Sequence, residues 1–305
     1  MNNTIETHGL ACRFGRTEAL HGLDLTVPAG SITALLGPNG AGKSTTLKLL
    51  VNQLVPTAGS AFVLGVNSRK LAPSELSQIG YVSENQELPL WMTLRQLIDY
   101  CRPFYPTWDR GLERTLLAQF ALPESRKLEK FSRGMLMKSA LLTSLAYRPK
   151  LLLLDEPFSG LDPLVREEFV HGILEISRAG DWTVLVSSHD IEEVERLCDR
   201  VVLLDAGRKR VDETTEVLQA RFRRVEVTLP FGNAAGETVP TSWLELERAG
   251  SLIRFVDTAF DGAKTMELCG RYFPGGAMSA HPMSLREIFI TLARAGRTQP
   301  EGVSL

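Results

Sequence analysis

The sequence predicts an α/β fold built on a parallel sheet, with an inserted helical subdomain and a small α+β appendage at its C-terminal end. Three observations predict it. First, Ile32-Thr33-Ala34-Leu35-Leu36, Leu151-Leu152-Leu153-Leu154 and Trp182-Thr183-Val184-Leu185-Val186-Ser187 are apolar runs of strand length, as expected of strands buried on both faces. Second, a glycine-rich loop leads from the first run into a helix pattern. Third, the pattern turns helical between about residues 85 and 149, and motif-free strand patterns resume beyond about residue 216.

Taken in order, residues 5–84 read as strand-rich with one helix, at 44–51. Candidate helices follow at 94–100, 110–120 and 133–146, all within the insert. Residues 190–198 read as an amphipathic helix and 201–204 as a short strand. Arg223-Arg224-Val225-Glu226-Val227-Thr228-Leu229 and Ser251-Leu252-Ile253-Arg254-Phe255-Val256 alternate in strand fashion, and 284–295 is a closing helix pattern. The domains expected are 5–215, an appendage at 216–296 and a disordered tail at 297–305.

The chemistry begins at Gly37-Pro38-Asn39-Gly40-Ala41-Gly42-Lys43-Ser44-Thr45, which fits G-x-x-x-x-G-K-[ST]. Glycines let successive backbone N–H groups converge on phosphate oxygens, and the following helix N-terminus favours negative charge. Lys43 is then placed to reach the β- and γ-phosphates of a nucleotide, and the Ser44 hydroxyl to bind Mg²⁺. The apolar run at 151–154 ends in Asp155-Glu156, at the strand end where open α/β sheets bind ligands. Asp155 is the expected holder of Mg²⁺, directly or through water. Glu156 can polarise an attacking water, because phosphoryl transfer depends mainly on positioning and charge stabilisation.

Three more motifs follow the same order along the chain: Phe131-Ser132-Arg133-Gly134-Met135, Ser159-Gly160-Leu161-Asp162 and Ser188-His189-Asp190. With these five motifs, the stretch from about Ile5 to about Thr215 resembles the nucleotide-binding subunit of ATP-binding cassette (ABC) transporters, in the exporter-like branch. The resemblance implies a P-loop NTPase fold with an ABC ATPase core, ATP and Mg²⁺ as ligands, and ATP hydrolysis. It implies that residues 131–135 are the signature motif, that residues 159–162 are the D-loop and that His189 is the switch histidine facing the γ-phosphate. It also implies a head-to-tail dimer in which each ATP meets Ser132 and Gly134 of the opposing subunit, with Asp162 crossing the interface. The second cassette is either another copy or a different chain. An integral-membrane permease is the expected partner, which would hold this chain peripherally at the cytoplasmic face of the membrane. Ser284-Leu285-Arg286-Glu287-Ile288-Phe289 fits a tail found in drug and antibiotic exporters. A soluble ABC ATPase working as a mechanical clamp is the competing reading.

The signature motif and the loop expected to be the Q-loop both depart from the usual family letters, and Met135 stands where glutamine is usual. Arg133 stands where glycine is usual, and either lends charge to the opposing γ-phosphate or points to solvent. Glu84, at the end of Gly80-Tyr81-Val82-Ser83-Glu84, stands where glutamine is usual. It can still accept from water or face Mg²⁺, but lacks the amide donor; a solvated carboxylate, with Gln86 substituting, is the alternative. For the adenine base, Phe14 is either a stacking platform or a buried strand residue.

Composition agrees with this reading. The chain has 305 residues, enough for a sizeable core, and its 34 basic and 36 acidic residues give no reason to expect nucleic acid as a partner. Cys12, Cys101, Cys198 and Cys269 lack metal-ligand spacing and read as free thiols. No apolar run approaches the roughly 20 residues of a membrane helix. Aromatics at 88–93 and 104–108 are either core or a docking surface for the permease.

Overall fold

The computed structural model describes residues 3–178, 182–230 and 239–298. The chain divides into two compact units, Met1–Asp212 and Glu213–Leu305. In the first, β1 (Asn3–Phe14), β2 (Thr17–Leu23) and β3 (Thr26–Pro28) precede β4 (Ile32–Leu36) and helix α1 (Lys43–Leu50). Then come β5 (Ala58–Val63), β6 (Val66–Asn67), the short helix α2 (Pro73–Leu76) and β7 (Ile79–Ser83). The first region therefore holds a second helix, of a single turn, that hydrophobic periodicity did not signal. Strands β2-β1-β5-β6, with β3 also on β1, form an antiparallel sheet.

The helical insert contains α3 (Leu94–Cys101), α4 (Arg110–Gln119) and α5 (Arg133–Leu145), close to the sequence expectation. Their starts are set by capping. Thr93 and Gln96 exchange side-chain and backbone bonds, Asp109 accepts from the N–H groups of Gly111 and Leu112, and Ser132 accepts from Met135. A buried carboxylate, Glu113, joins the elements: it accepts from Arg95 at 2.8 Å, Arg102 at 3.0 Å and the Trp108 indole at 2.8 Å. The aromatics of the insert divide. Tyr105 stacks on Tyr147 with centroids 3.8 Å apart, whereas Trp91 (67 % exposed) and Phe104 (64 % exposed) face outward.

Strand β8 (Leu151–Asp155), helix α6 (Pro163–Arg178), β9 (Thr183–Ser188), β10 (Arg200–Asp205) and β11 (Arg208–Thr214) complete the second sheet, in the order β11-β10-β4-β9-β8-β7. From β10 to β7 all pairings are parallel. Every residue of β4, β8 and β9 is buried, which explains their unbroken apolar character. Helix α1 contacts strands of both sheets, and Leu47, Leu49 and Leu50 join a core with Leu35, Leu153 and Leu185. Each such side chain contributes about 1.5–3 kcal/mol by leaving water.

The expected helix at 190–198 is corrected. Only Ile191–Glu193 forms a helical turn, of the 3-10 kind, and turns follow it. Val194 N–H bonds to Ile191 O, Glu195 N–H also bonds there, and Leu197 and Cys198 both bond to Val194 O, so three- and four-residue closures mix. The apolar spacing survives because Ile191, Val194, Leu197 and Cys198 are all buried.

The second unit contains α7 (Thr215–Arg221), β12 (Arg223–Thr228), β13 (Trp243–Ala249), β14 (Leu252–Asp257), α8 (Gly262–Tyr272), β15 (Ala277–Pro282) and α9 (Leu285–Thr298). Its antiparallel sheet runs β13-β14-β12-β15. Trp243, Phe255 and Phe273 stack in its core with Val225, Val227 and Ile253. The expected disordered tail at 297–305 begins two residues inside α9; from 299 onward it lies outside the described residues. Among the described residues no helix is long and apolar enough to cross a membrane.

Leu153 is fully buried on β8. Leu153→Ala is expected to lower unfolding stability by about 2–5 kcal/mol, read from urea denaturation.

Candidate functional site

Parallel register assembles the site. Leu36 pairs with Ser188, Ser187 with Asp155, and Asp155 with Ser83. These four strands therefore end in one row, and the segments that follow them, Gly37 onward, His189, Glu156 and Glu84, leave the sheet along the same carboxyl-end edge.

The loop after β4 turns into α1 at Gly42, whose φ is 103°. A Cβ there would fall 2.7 Å from the Ala19 carbonyl oxygen of β2, so glycine is required by both conformation and space. Lys43, 5 % exposed, lies under this loop and donates to the carbonyls of Gly37 at 2.7 Å and Pro38 at 3.2 Å. Its ammonium also pairs with Glu156 Oε1 at 3.0 Å.

Ser44 Oγ donates to Asp155 Oδ1 at 2.8 Å. Ser187 Oγ donates to the same oxygen at 2.9 Å and accepts the Glu156 N–H at 3.0 Å. The Tyr81 hydroxyl stands 3.5 Å from Asp155 Oδ2, and burial, followed by the charge of Asp155, pushes its pKa up to about 12. Ser187 and Tyr81 are site residues that sequence reasoning missed. Their types were visible, but only strand pairing reveals that they face Asp155. Ser44 and Asp155 offer two adjacent hard oxygens, a donor set that fits Mg²⁺, which takes one or two protein groups together with phosphate oxygens.

Glu156 has φ = 52°, the left-handed region, which costs a non-glycine residue on the order of 1–3 kcal/mol. The neighbours hold it there. While Lys43 binds Oε1, Oε2 lies 2.8 Å from His189 Nδ1 and 3.3 Å from the His189 backbone nitrogen, whose N–H it accepts. Burial alone would raise the Glu156 pKa, but hydrogen bonds from His189 and Lys43, with their charges, outweigh it and hold the carboxyl below its ordinary value. The hydrogen bond to Glu156 correspondingly raises His189, against partial desolvation. Two expected residues thus meet directly, with Lys43 as the third member.

The remaining expected residues lie apart from this triad. Phe14 is 49 % exposed, so the buried alternative is set aside. Ser132 caps α5, and Gly134 packs so closely on α6 that a Cβ would fall 2.9 Å from Val165 Cγ1. Asp162 Oδ1 accepts the Val165 N–H at 3.0 Å and thereby caps α6. Glu84 donates its backbone N–H to Asp155 O at 3.0 Å, but its carboxylate turns to Arg133 of the same chain. Arg133, half exposed to solvent, is thus also paired within its own chain. Gln86 is exposed in the turn that begins at Ser83.

Residues 20–159 match the family described as ABC transporter. The daunorubicin/doxorubicin resistance ATP-binding protein DrrA of Streptomyces peucetius is 30 % identical over 303 residues, spanning 94 % of this chain and 92 % of that protein. Nod factor export ATP-binding protein I of Rhizobium sp. (strain N33) is 30 % identical over 295 residues, spanning 94 % and 96 %. Among solved structures, the ATP-binding subunit of an ABC transporter superposes with a TM-score of 0.65 at 29 % identity, covering 71 % of this chain and 92 % of that one.

The Glu156–His189 contact makes a testable pH signature. Glu156, depressed below its ordinary 4.5, contributes stability present above that pH and lost as pH falls through the folded value. His189, raised above its ordinary 6.5, contributes stability complete below that pH and lost as pH rises through the folded value. Both contributions are complete between pH 4.5 and 6.5. In Glu156→Gln the His189 ring should titrate closer to 6.5 in an NMR pH series; an unchanged midpoint would refute the contact.

Proposed function

Because this chain belongs to the ABC transporter family, as an ATPase subunit of the exporter type, we propose that it closes as a dimer around ATP and Mg²⁺ and drives an integral-membrane permease. The observation that supports this reading is the convergence on Glu156 of Lys43 and His189, beside an Asp155 that accepts from Ser44. ATP phosphates would lie on the N–H groups of the loop from Gly37 to Thr45, at the start of α1, with Lys43 shared between them and Glu156. Ser44 and Asp155 would hold Mg²⁺, which when bound neutralises charge on the phosphate oxygens.

Glu156 orients the attacking water along the line of displacement. Its contribution is positioning, because phosphoryl transfer depends mainly on alignment and charge stabilisation. His189 holds the second carboxylate oxygen and would face the γ-phosphate of a nucleotide bound at the loop. Phe14 supplies a face for the base, while Ser132 and Gly134 meet the nucleotide of the opposing subunit, and Asp162 lies at the interface. Domain limits near residue 215 and a helical insert from about 85 to 149 belong to the same reading.

Export is the direction suggested by relatives whose names describe drug resistance and Nod factor export. The permease contacts would include the exposed rings of Trp91 and Phe104 and place the chain at the cytoplasmic face of the membrane.

Affinity purification of the tagged chain from detergent-solubilised membranes tests the proposal. A polytopic membrane protein that co-purifies and raises the ATPase rate is expected. Glu156→Gln should reduce turnover to below about one hundredth of wild type while ATP binding persists. Turnover without any membrane partner would favour the soluble clamp.

A further inference from the structure

Arg133 and Glu84, which both depart from the usual family letters, are bonded to each other. Arg133 Nη2 donates to Glu84 Oε1 in an ion pair that spans 49 residues of sequence. Both partners are fixed by their surroundings. The Glu84 N–H bonds to the carbonyl of Asp155, so Glu84 is tied to the strand that carries the site carboxylates. Arg133 lies between Ser132, which caps α5, and Gly134, which is wedged against Val165.

The guanidinium also lies against the D-loop turn. A Cβ on Gly160, where φ is 67°, would fall 2.7 Å from Arg133 Nη1, so the arginine occupies space that only glycine leaves free. Electrostatics favours the same arrangement. Arg133 is the first residue of α5, where the helix dipole disfavours a cation, and no acidic residue occupies that first turn. Glu84 supplies the missing negative charge from outside the helix. With side chains 50 % and 26 % exposed, the pair is accessible to salt and is weak enough to be adjusted by its surroundings.

We propose that Glu84 and Arg133 act as one unit, in which Arg133 is a positioning residue that holds the loop after β7 against α5 and the Gly160 turn, and is not a phosphate ligand of the opposing site. This rests on the ATPase reading above. An arginine matched by a carboxylate of its own chain has its charge offset before it can meet a phosphate.

A double-mutant cycle separates the two roles. Wild type, Glu84→Gln, Arg133→Gln and the double variant are compared for kcat and KM of ATP turnover, and for thermal midpoint, at low and high salt, in the purified full-length chain or its permease complex. Arg133→Gln is expected to lower kcat about twofold to fivefold in wild type and to have no further effect in Glu84→Gln. High salt should shrink the wild-type advantage, and the reversed pair Glu84→Arg with Arg133→Glu should recover to within about twofold of wild type. If Arg133→Gln instead raises KM by the same factor in both backgrounds, Arg133 acts on phosphate and the proposal falls. A wild-type chain without turnover would count against the ATPase reading alone. The pair is then judged by the thermal midpoint: a drop confined to the background that keeps Glu84 upholds it, and equal drops in both overturn it.

Discussion

The site depends on one constraint, the parallel register of four strands. Because Leu36, Ser188, Ser187, Asp155 and Ser83 lie in adjoining rows, four loops that are distant in sequence begin at the same edge. A slip of one residue in β8 would exchange the two faces of that strand and carry Asp155 away from Ser44 and Ser187. The register is held by apolar burial. Every residue of β4, β8 and β9 is enclosed, and α1 packs on strands of both sheets, so the core and the phosphate loop are built by the same contacts.

On that platform the local electrostatics follow from a small set of contacts. Glu156 is held in a left-handed conformation that its residue type disfavours, with its N–H on Ser187 and its carboxylate between Lys43 and His189. Hydrogen bonds from His189 and Lys43 hold the carboxyl below its ordinary value despite burial. Ser187 links the Asp155 carboxylate to the backbone of Glu156, because it donates to Asp155 Oδ1 and accepts the Glu156 N–H.

The insert and the C-terminal unit differ in how they were legible. The three helices of the insert were visible because apolar spacing and capping residues coincide, as at Thr93 with Gln96 and at Ser132. In the second unit β12, β14 and α9 showed their patterns, but β13 and β15 did not. Along β13 only Trp243 is buried, and β15 has no fully buried residue, so pairing with β14 and β12 makes them strands and side-chain alternation does not. Helix α8 begins at an Asp261 cap, a signal present in the sequence and passed over. Residues 190–198 show the opposite failure: helical apolar spacing was real, yet the backbone closes through mixed turns.

By itself the sequence determined the fold class, the phosphate loop and the residue types of the site, because these reside in local patterns: glycine spacing, apolar runs and carboxylates at strand ends. Tertiary structure alone decided the partnerships. That Lys43 and His189 share Glu156, that Ser187 and Tyr81 face Asp155, and that Glu84 binds Arg133 are contacts between residues 32 to 113 positions apart. The physical reason is that a side chain's type sets which bonds it can make, whereas strand register and packing set which partner stands within reach.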